Sequence, residues 1–168
     1  ASDVYKRQAV DAIVSARKIY ILAARSASAL GIFLNYYFSL IFDKVELVTT
    51  TSKTEIYEKM FRINEEDVFI GISFPRYSKQ AVSAMNFAKR KGARGIALTD
   101  SLLSPLAQQA DFVLLARSDM ASVVDSLVAP LSLINAMIVA TALKKKDEVS
   151  KTFQNLEEIW DEYEVYEK

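Results

Sequence analysis

Five short apolar runs, at residues 19–23, 45–48, 68–72, 95–98 and 112–116, constrain this chain more than any other feature. Each is followed by a segment of helical character. The runs are nearly continuous rather than alternating, the pattern of parallel strands covered by helices on both faces. Between them, Leu30, Phe33, Leu34 and Tyr37 repeat at helical spacing, and so, with some smearing, do Val82, Met85, Phe87 and Ala88. The pattern is βαβ, repeated. It predicts an α/β fold: a doubly wound, five-stranded parallel sheet flanked by helices, in the flavodoxin-like order 2-1-3-4-5.

The length of 168 residues suits one such domain and is short for two. A lead-in helix carrying Val10, Ile13 and Val14 is expected over 1–17, the α/β core over 18–145, and a charged helix over 146–166 with Val149, Phe153, Leu156 and Trp160 on one stripe. Residues 127–143 are the most apolar stretch. Pro130, Ser132, Asn135 and Thr141 interrupt it and it falls short of the roughly 20 residues a bilayer needs, so a buried helix is expected.

Charge and missing residue types exclude whole classes of function. Twenty-one basic and 21 acidic residues cancel, leaving no long-range positive field to gather phosphate backbones, so this segment alone is not expected to grip DNA. Without Cys there is no disulfide or thiolate chemistry, and without His the commonest metal ligand and general base is missing. No cofactor is expected. Asp3, Lys6 and Arg7 break up the first residues, which lack the apolar run of a secretory signal, and a cytoplasmic location is expected by default.

Local signals mark where helices begin and end. Ser52-Lys-Thr-Glu55 fits a capping box, Ser104-Pro105 puts a capping hydroxyl before a Pro at a first helical position, and Lys89-Arg90-Lys91-Gly92 closes a helix with cations and a left-handed Gly. In the order 2-1-3-4-5 the topological switch lies between strands one and three, and ligands bind beyond their carboxyl ends. That directs attention to the loops 24–28 and 73–78.

Both loops carry hydroxyls and one Arg, and both lead into helices. In Ser73-Phe-Pro-Arg-Tyr-Ser78, free N–H groups at a helix start favour an anion, and Arg76 can add charge-assisted hydrogen bonds to a phosphate. Equally, Ser78 fits an ordinary N-cap and Arg76 a solvated side chain. Arg25, Ser26 and Ser28 in the first loop admit the same two readings, one of the two serines as cap and Arg25 as a surface ion-pair partner. Thr49-Thr-Thr-Ser52 after strand two is a run of hydroxyls that could reach sugar oxygens, but Ser52 already serves as a cap and the structural reading is preferred. Asp100 and Ser101 end strand four, where they suit either sugar hydroxyls or a turn. Ser118, Asp119, Ser122 and Asp125 either close over the site or cap the apolar helix.

The run 70–78, the run 91–101, Ser104-Pro-Leu-Ala107 and Ala110-Asp111 together resemble sugar isomerase (SIS) domains over nearly the whole chain. Residues 21–26, 125–135 and 160–166 look most like the C-terminal effector domain of RpiR/MurR-type transcription regulators. The resemblance implies a sugar-phosphate or amino-sugar-phosphate pocket in which hydroxyls of the first and third strand loops hold the phosphate, here at the positions of Ser26, Ser73 and Ser78. It also implies a homodimer, and a DNA-binding helix-turn-helix domain preceding the segment. Many SIS domains read Ser-x-Ser-Gly-x-Thr in the third-strand loop, whereas this chain has Pro75-Arg76 there and Ala23 and Arg25 after strand one. The competing expectation is a small SIS enzyme such as a sugar-phosphate isomerase. That reaction needs a base at C2, a role left to carboxylates such as Asp100, Asp119 or Asp125 in a chain without His.

Overall fold

The computed structural model describes residues 2–118 and 126–167. Its chain order is α1 (Ser2–Ser15), β1 (Ile19–Ala23), α2 (Ser28–Ile41), β2 (Val45–Val48), α3 (Lys53–Met60), β3 (Val68–Ile72), α4 (Lys79–Arg90), β4 (Arg94–Thr99), β5 (Phe112–Leu115), α5 (Val128–Lys144) and α6 (Lys146–Glu162). The five strands are parallel, as their apolar runs imply, and lie in the expected order β2-β1-β3-β4-β5. Ile19 stands opposite both Val45 and Val68, and Ala23 opposite Ile72.

Alternate residues of each strand enter two separate cores. Ile19, Ile21, Ile70, Ile72 and Leu98 pack under α1, α2 and α5, where Ile13, Leu34, Phe38 and Ile134 are fully buried. Tyr20, Leu22, Phe69 and Ala97 pack under α3 and α4. Two covered faces explain why the strands read as continuous apolar runs. The face that α4 buries consists of Ala81, Ala84, Met85 and Ala88, so its larger apolar residues Val82 and Phe87 sit at the margin and blur the helical pattern. At the end of α4, Gly92 adopts φ 89°, the left-handed turn expected of it.

Some local expectations are corrected. Ser104 does cap, accepting the Ala107 N–H at 3.2 Å and the Thr99 hydroxyl at 3.0 Å, but the chain then makes only one 3₁₀ turn, Ala107–Gln109, rather than a helix. The capping box at α3 is half formed. Ser52 Oγ accepts the Glu55 N–H, while the Ser52 N–H donates to Thr50 Oγ1 at 3.1 Å instead of to Glu55. The C-terminal helix stops at Glu162, four residues short of its expected end.

Opposite the ligand end of the sheet, Asp67 is the one fully enclosed carboxylate among the described residues. It accepts two hydrogen bonds from Arg17, at 3.0 and 2.8 Å, and one from the Asn64 N–H at 2.9 Å. The hydrogen bond and the charge of Asp67 push the Arg17 guanidinium above its ordinary pKa. This clamp ties the segment after α1 to the start of β3. On the far side α5 and α6 meet at a bend of 98°, and α6 rests on α2 and α5 without burying any residue fully. No single described helix is long and apolar enough to cross a membrane.

Candidate functional site

Because β1 and β3 are hydrogen-bonded neighbours whose last residues are in register, the loops that leave them converge. Beyond β3, Ser73 is buried, its N–H bonded to Leu98 O at 3.0 Å and its Oγ accepting the Ser78 N–H at 3.0 Å. One serine thus closes the loop onto the start of α4. Ser78 is the N-cap of α4, its Oγ accepting the Ala81 N–H at 3.2 Å. Both hydroxyls act as acceptors here, and neither proton has an acceptor among the described residues. Capping and ligand binding are therefore compatible, because a hydroxyl that accepts one bond still has one to donate.

Beyond β1 the chain makes a 3₁₀ turn, Arg25–Ala27, before α2 begins. Arg25 lies at φ 58°, a left-handed conformation that costs an L-residue of its size about 1–3 kcal/mol. Its carbonyl accepts the Ser28 hydroxyl at 2.6 Å. The turn leaves the Arg25 and Ser26 side chains exposed at the mouth.

These loops wall a cleft of about 1180 Å³ that runs from the start of α3, past α4, to the start of α5. Of the residues singled out from sequence, Arg25, Ser26, Ser73, Arg76 and Ser78 line it together. Three others do not. Ser28 spends its proton on Arg25 O, Ser101 Oγ accepts the Leu103 N–H at 3.0 Å, and Asp100 Oδ1 accepts the Tyr77 hydroxyl at 2.7 Å. For Asp100 and Ser101 the turn reading therefore fits the geometry better than sugar contact. Tyr77 lines the cleft, and its bond to Asp100 moors the Arg76 loop to the end of β4; that hydrogen bond, with some burial, pushes the Tyr77 phenol up to about 12. Asp119, Ser122 and Asp125 lie outside the described residues, while Ser118 and Ser126 are on the wall.

Thr51, from the hydroxyl run read as structural, also lines the cleft, as do residues not singled out from sequence: Lys53 and Tyr57 from α3, and Lys79, Gln80 and Ser83 from α4. The two lysines had a legible signal. Each directly follows an N-cap serine, the end of a helix dipole where a cation is disfavoured. Arg25, Lys53, Arg76 and Lys79 form no ion pair among the described residues, and no described residue of the lining is a carboxylate. Nor does any group of His, Cys, Asp or Glu among the described residues suit a metal. Chemically, hydroxyls and N–H groups that can orient an anion stand here beside cations that can neutralise one.

The chain is similar to several known proteins. An uncharacterized HTH-type transcriptional regulator of Caldanaerobacter subterraneus subsp. tengcongensis is 28% identical over 158 residues, 90% of this chain and 55% of that protein, so the chain spans little more than half of this relative. The sugar isomerase domain of an RpiR transcription factor from Sphaerobacter thermophilus superposes with a TM-score of 0.87 at 24% identity, covering 92% of this chain and 86% of that one. The NanR protein of Vibrio vulnificus, solved with ManNAc-6P, gives 0.81 at 17% identity over 96% and 61% of the two chains. The fold is shared too by a Methanococcus jannaschii protein inferred to be a 3-hexulose-6-phosphate isomerase, at a TM-score of 0.70 and 16% identity over 89% and 84%. The SIS domain family model matches residues 12–140, and the chain belongs to that family.

Proposed function

We propose that this chain is the sugar-phosphate-binding effector domain of an RpiR-type transcription regulator, in which a phosphorylated sugar or amino sugar in the cleft alters DNA binding by a preceding helix-turn-helix domain. The observation that carries this reading is the cleft at the carboxyl ends of β1 and β3, where Ser26, Ser73 and Ser78 meet Arg25 and Arg76 with no ion-pair partner on the described wall. The likeness to an RpiR sugar isomerase domain supports it, as does the likeness to NanR, a protein solved in complex with ManNAc-6P. The HTH-type relative is longer than the part this chain matches, which leaves room for a DNA-binding domain and supports the reading. The site is cytoplasmic in this reading, and DNA is a partner only through that other domain.

The same reading includes a homodimer. Val139 and Leu143 of α5 remain 57% and 67% exposed although their helix is predominantly apolar, and Phe153 and Ile159 of α6 lie open as well. A second copy is the proposed cover, and a mass twice 18.8 kDa by light scattering at micromolar concentration is the expected result.

An isomerase is the second reading, favoured by the isomerase-type neighbour of the same fold. It requires a base at the substrate's C2, whereas the described wall offers hydroxyls and cations. The deciding experiment incubates the chain in D₂O with a panel of hexose, pentose and amino-sugar phosphates. Stabilisation of the fold without loss of the C2–H proton signal supports the effector domain; C2–H exchange or aldose-to-ketose conversion overturns it.

A further inference from the structure

The lining holds more positive charge than one phosphate requires. Arg25 and Arg76, three serine hydroxyls and the N-terminus of α4 already suffice for a phosphate, which carries about −1.5 to −2 near neutral pH. Lys53 and Lys79 are left over. They are the first residues of α3 and α4, two helices linked at this end by Gln80 Nε2 donating to Thr51 O at 3.4 Å, and further along by the edge contact of Tyr57 with Phe87. Each lysine therefore sits at a positive helix end on the same stretch of wall, and neither forms an ion pair among the described residues. Glu55 shares the first turn of α3 but is absent from the wall.

This surplus is local, since the chain as a whole carries no net charge. Nor does it suit an uncharged sugar chain. Sugar hydroxyls are commonly held by carboxylates and amides that accept their protons, whereas a lysine is a donor only. Among the described lining residues Gln80 supplies the one side-chain amide, and there is no carboxylate.

From these observations we infer that the ligand bears a second acidic group besides its phosphate: a phosphorylated sugar acid, its phosphate among Ser26, Ser73, Ser78 and the two arginines and its carboxylate on Lys53 and Lys79. The inference rests on the effector-domain reading of the cleft and names its ligand class.

Matched pairs that differ only at C1 test it: glucose 6-phosphate against 6-phosphogluconate, and ribose 5-phosphate against 5-phosphoribonate, titrated calorimetrically into the chain. In at least one pair the acid is expected to bind about tenfold tighter or more, the range for a charge-assisted bond. Lys53→Met and Lys79→Met should each narrow that ratio, and the double variant should bring it near one. Both lysines are exposed, so thermal melts of the variants should match the parent. Equal or tighter binding of the aldose phosphate in every pair, or a preference that survives in the double variant, overturns the sugar acid while leaving the sugar-phosphate reading intact. If no phosphorylated compound binds at millimolar concentration, both readings fall together.

Discussion

Substitution of Ser78 separates the two roles that the geometry assigns to one hydroxyl. As N-cap it accepts the Ala81 N–H at 3.2 Å, and Ser78→Ala should cost about 1 kcal/mol through α4. With an unfolding entropy of about 2.1 cal/mol/K per residue over 168 residues, that lowers Tm by roughly 3 °C. As ligand donor the hydroxyl offers its proton to the phosphate, a bond to a charged group worth about 1.5–3 kcal/mol, so affinity should fall roughly ten- to hundredfold. The alanine variant shows both losses at once.

Two further substitutions pull them apart. Ser78→Gly keeps most of the capping, losing only a few tenths of a kcal/mol, yet has no hydroxyl to donate, so it should bind as poorly as the alanine variant. Ser78→Asp caps at least as well and suits the dipole of α4, but sets a carboxylate against the bound anion. Close like charges cost several kcal/mol, so its affinity should fall by more than about a hundredfold while its melt is unchanged or raised. Calorimetric titration with the tightest sugar phosphate of the panel, run beside urea melts, reads both quantities. Wild-type affinity in Ser78→Asp would show that the phosphate is bound elsewhere.

Other positions give sharper structural tests. Tyr77 is held protonated by Asp100, its pKa pushed up to about 12 from 10, so the stabilisation is complete below pH 10 and is lost as pH rises through about 12; burial pushes Tyr20 up as well, so absorbance at 295 nm should show two late-titrating tyrosines, of which one disappears in Tyr77→Phe. Arg17→Met strands the enclosed Asp67 carboxylate, and the double variant Arg17→Met with Asp67→Asn should recover part of the lost urea midpoint; no recovery would mean that Asp67 is already solvated. At Gly31 an added Cβ would lie 2.7 Å from Ala23 Cβ, so Gly31→Ala should be destabilising by about 1 kcal/mol despite better helix propensity, and a raised midpoint would show that α2 can retreat from β1.

Legibility in the sequence depends on which interactions are local or periodic. Strands with two buried faces announce themselves by unbroken apolar runs, so four of the five began where expected and β4 differed by one residue at each end. Strand order came from the rules for parallel crossovers rather than from any residue. The 3₁₀ turn at Ala107–Gln109 was not legible, because a Ser-Pro start looks the same whether the next turn continues or stops. The far side of the cleft was missed for another reason. Lys53 and Lys79 are marked only as cations behind N-cap serines, a signal that does not join them, and α3 and α4 become neighbours only when β2 and β3 take their places on either side of β1.

The cleft gathers several departures from local preference. Some local preferences hold elsewhere, since Gly92 takes the positive φ and Lys89 and Arg90 sit at the negative end of α4, but Glu164 also lies at φ 52° and α6 starts at Lys146 behind an uncapped Lys145. At the cleft a bulky Arg25 holds a left-handed turn, two lysines face positive helix ends, and a buried serine keeps an unspent proton. Each departure costs folding free energy locally, and all of them gather on one wall. A bound anion relieves the charge terms among them: it neutralises the lysines, complements the dipoles of α3 and α4, and accepts the serine proton. The same ligand should therefore raise Tm more in the parent than in a Lys53→Met, Lys79→Met double variant, whose ligand-free form should melt at or above the parent's ligand-free temperature. A lower ligand-free melt in that variant would mean that the lysines stabilise the fold itself, and the departures would then have lost their functional explanation.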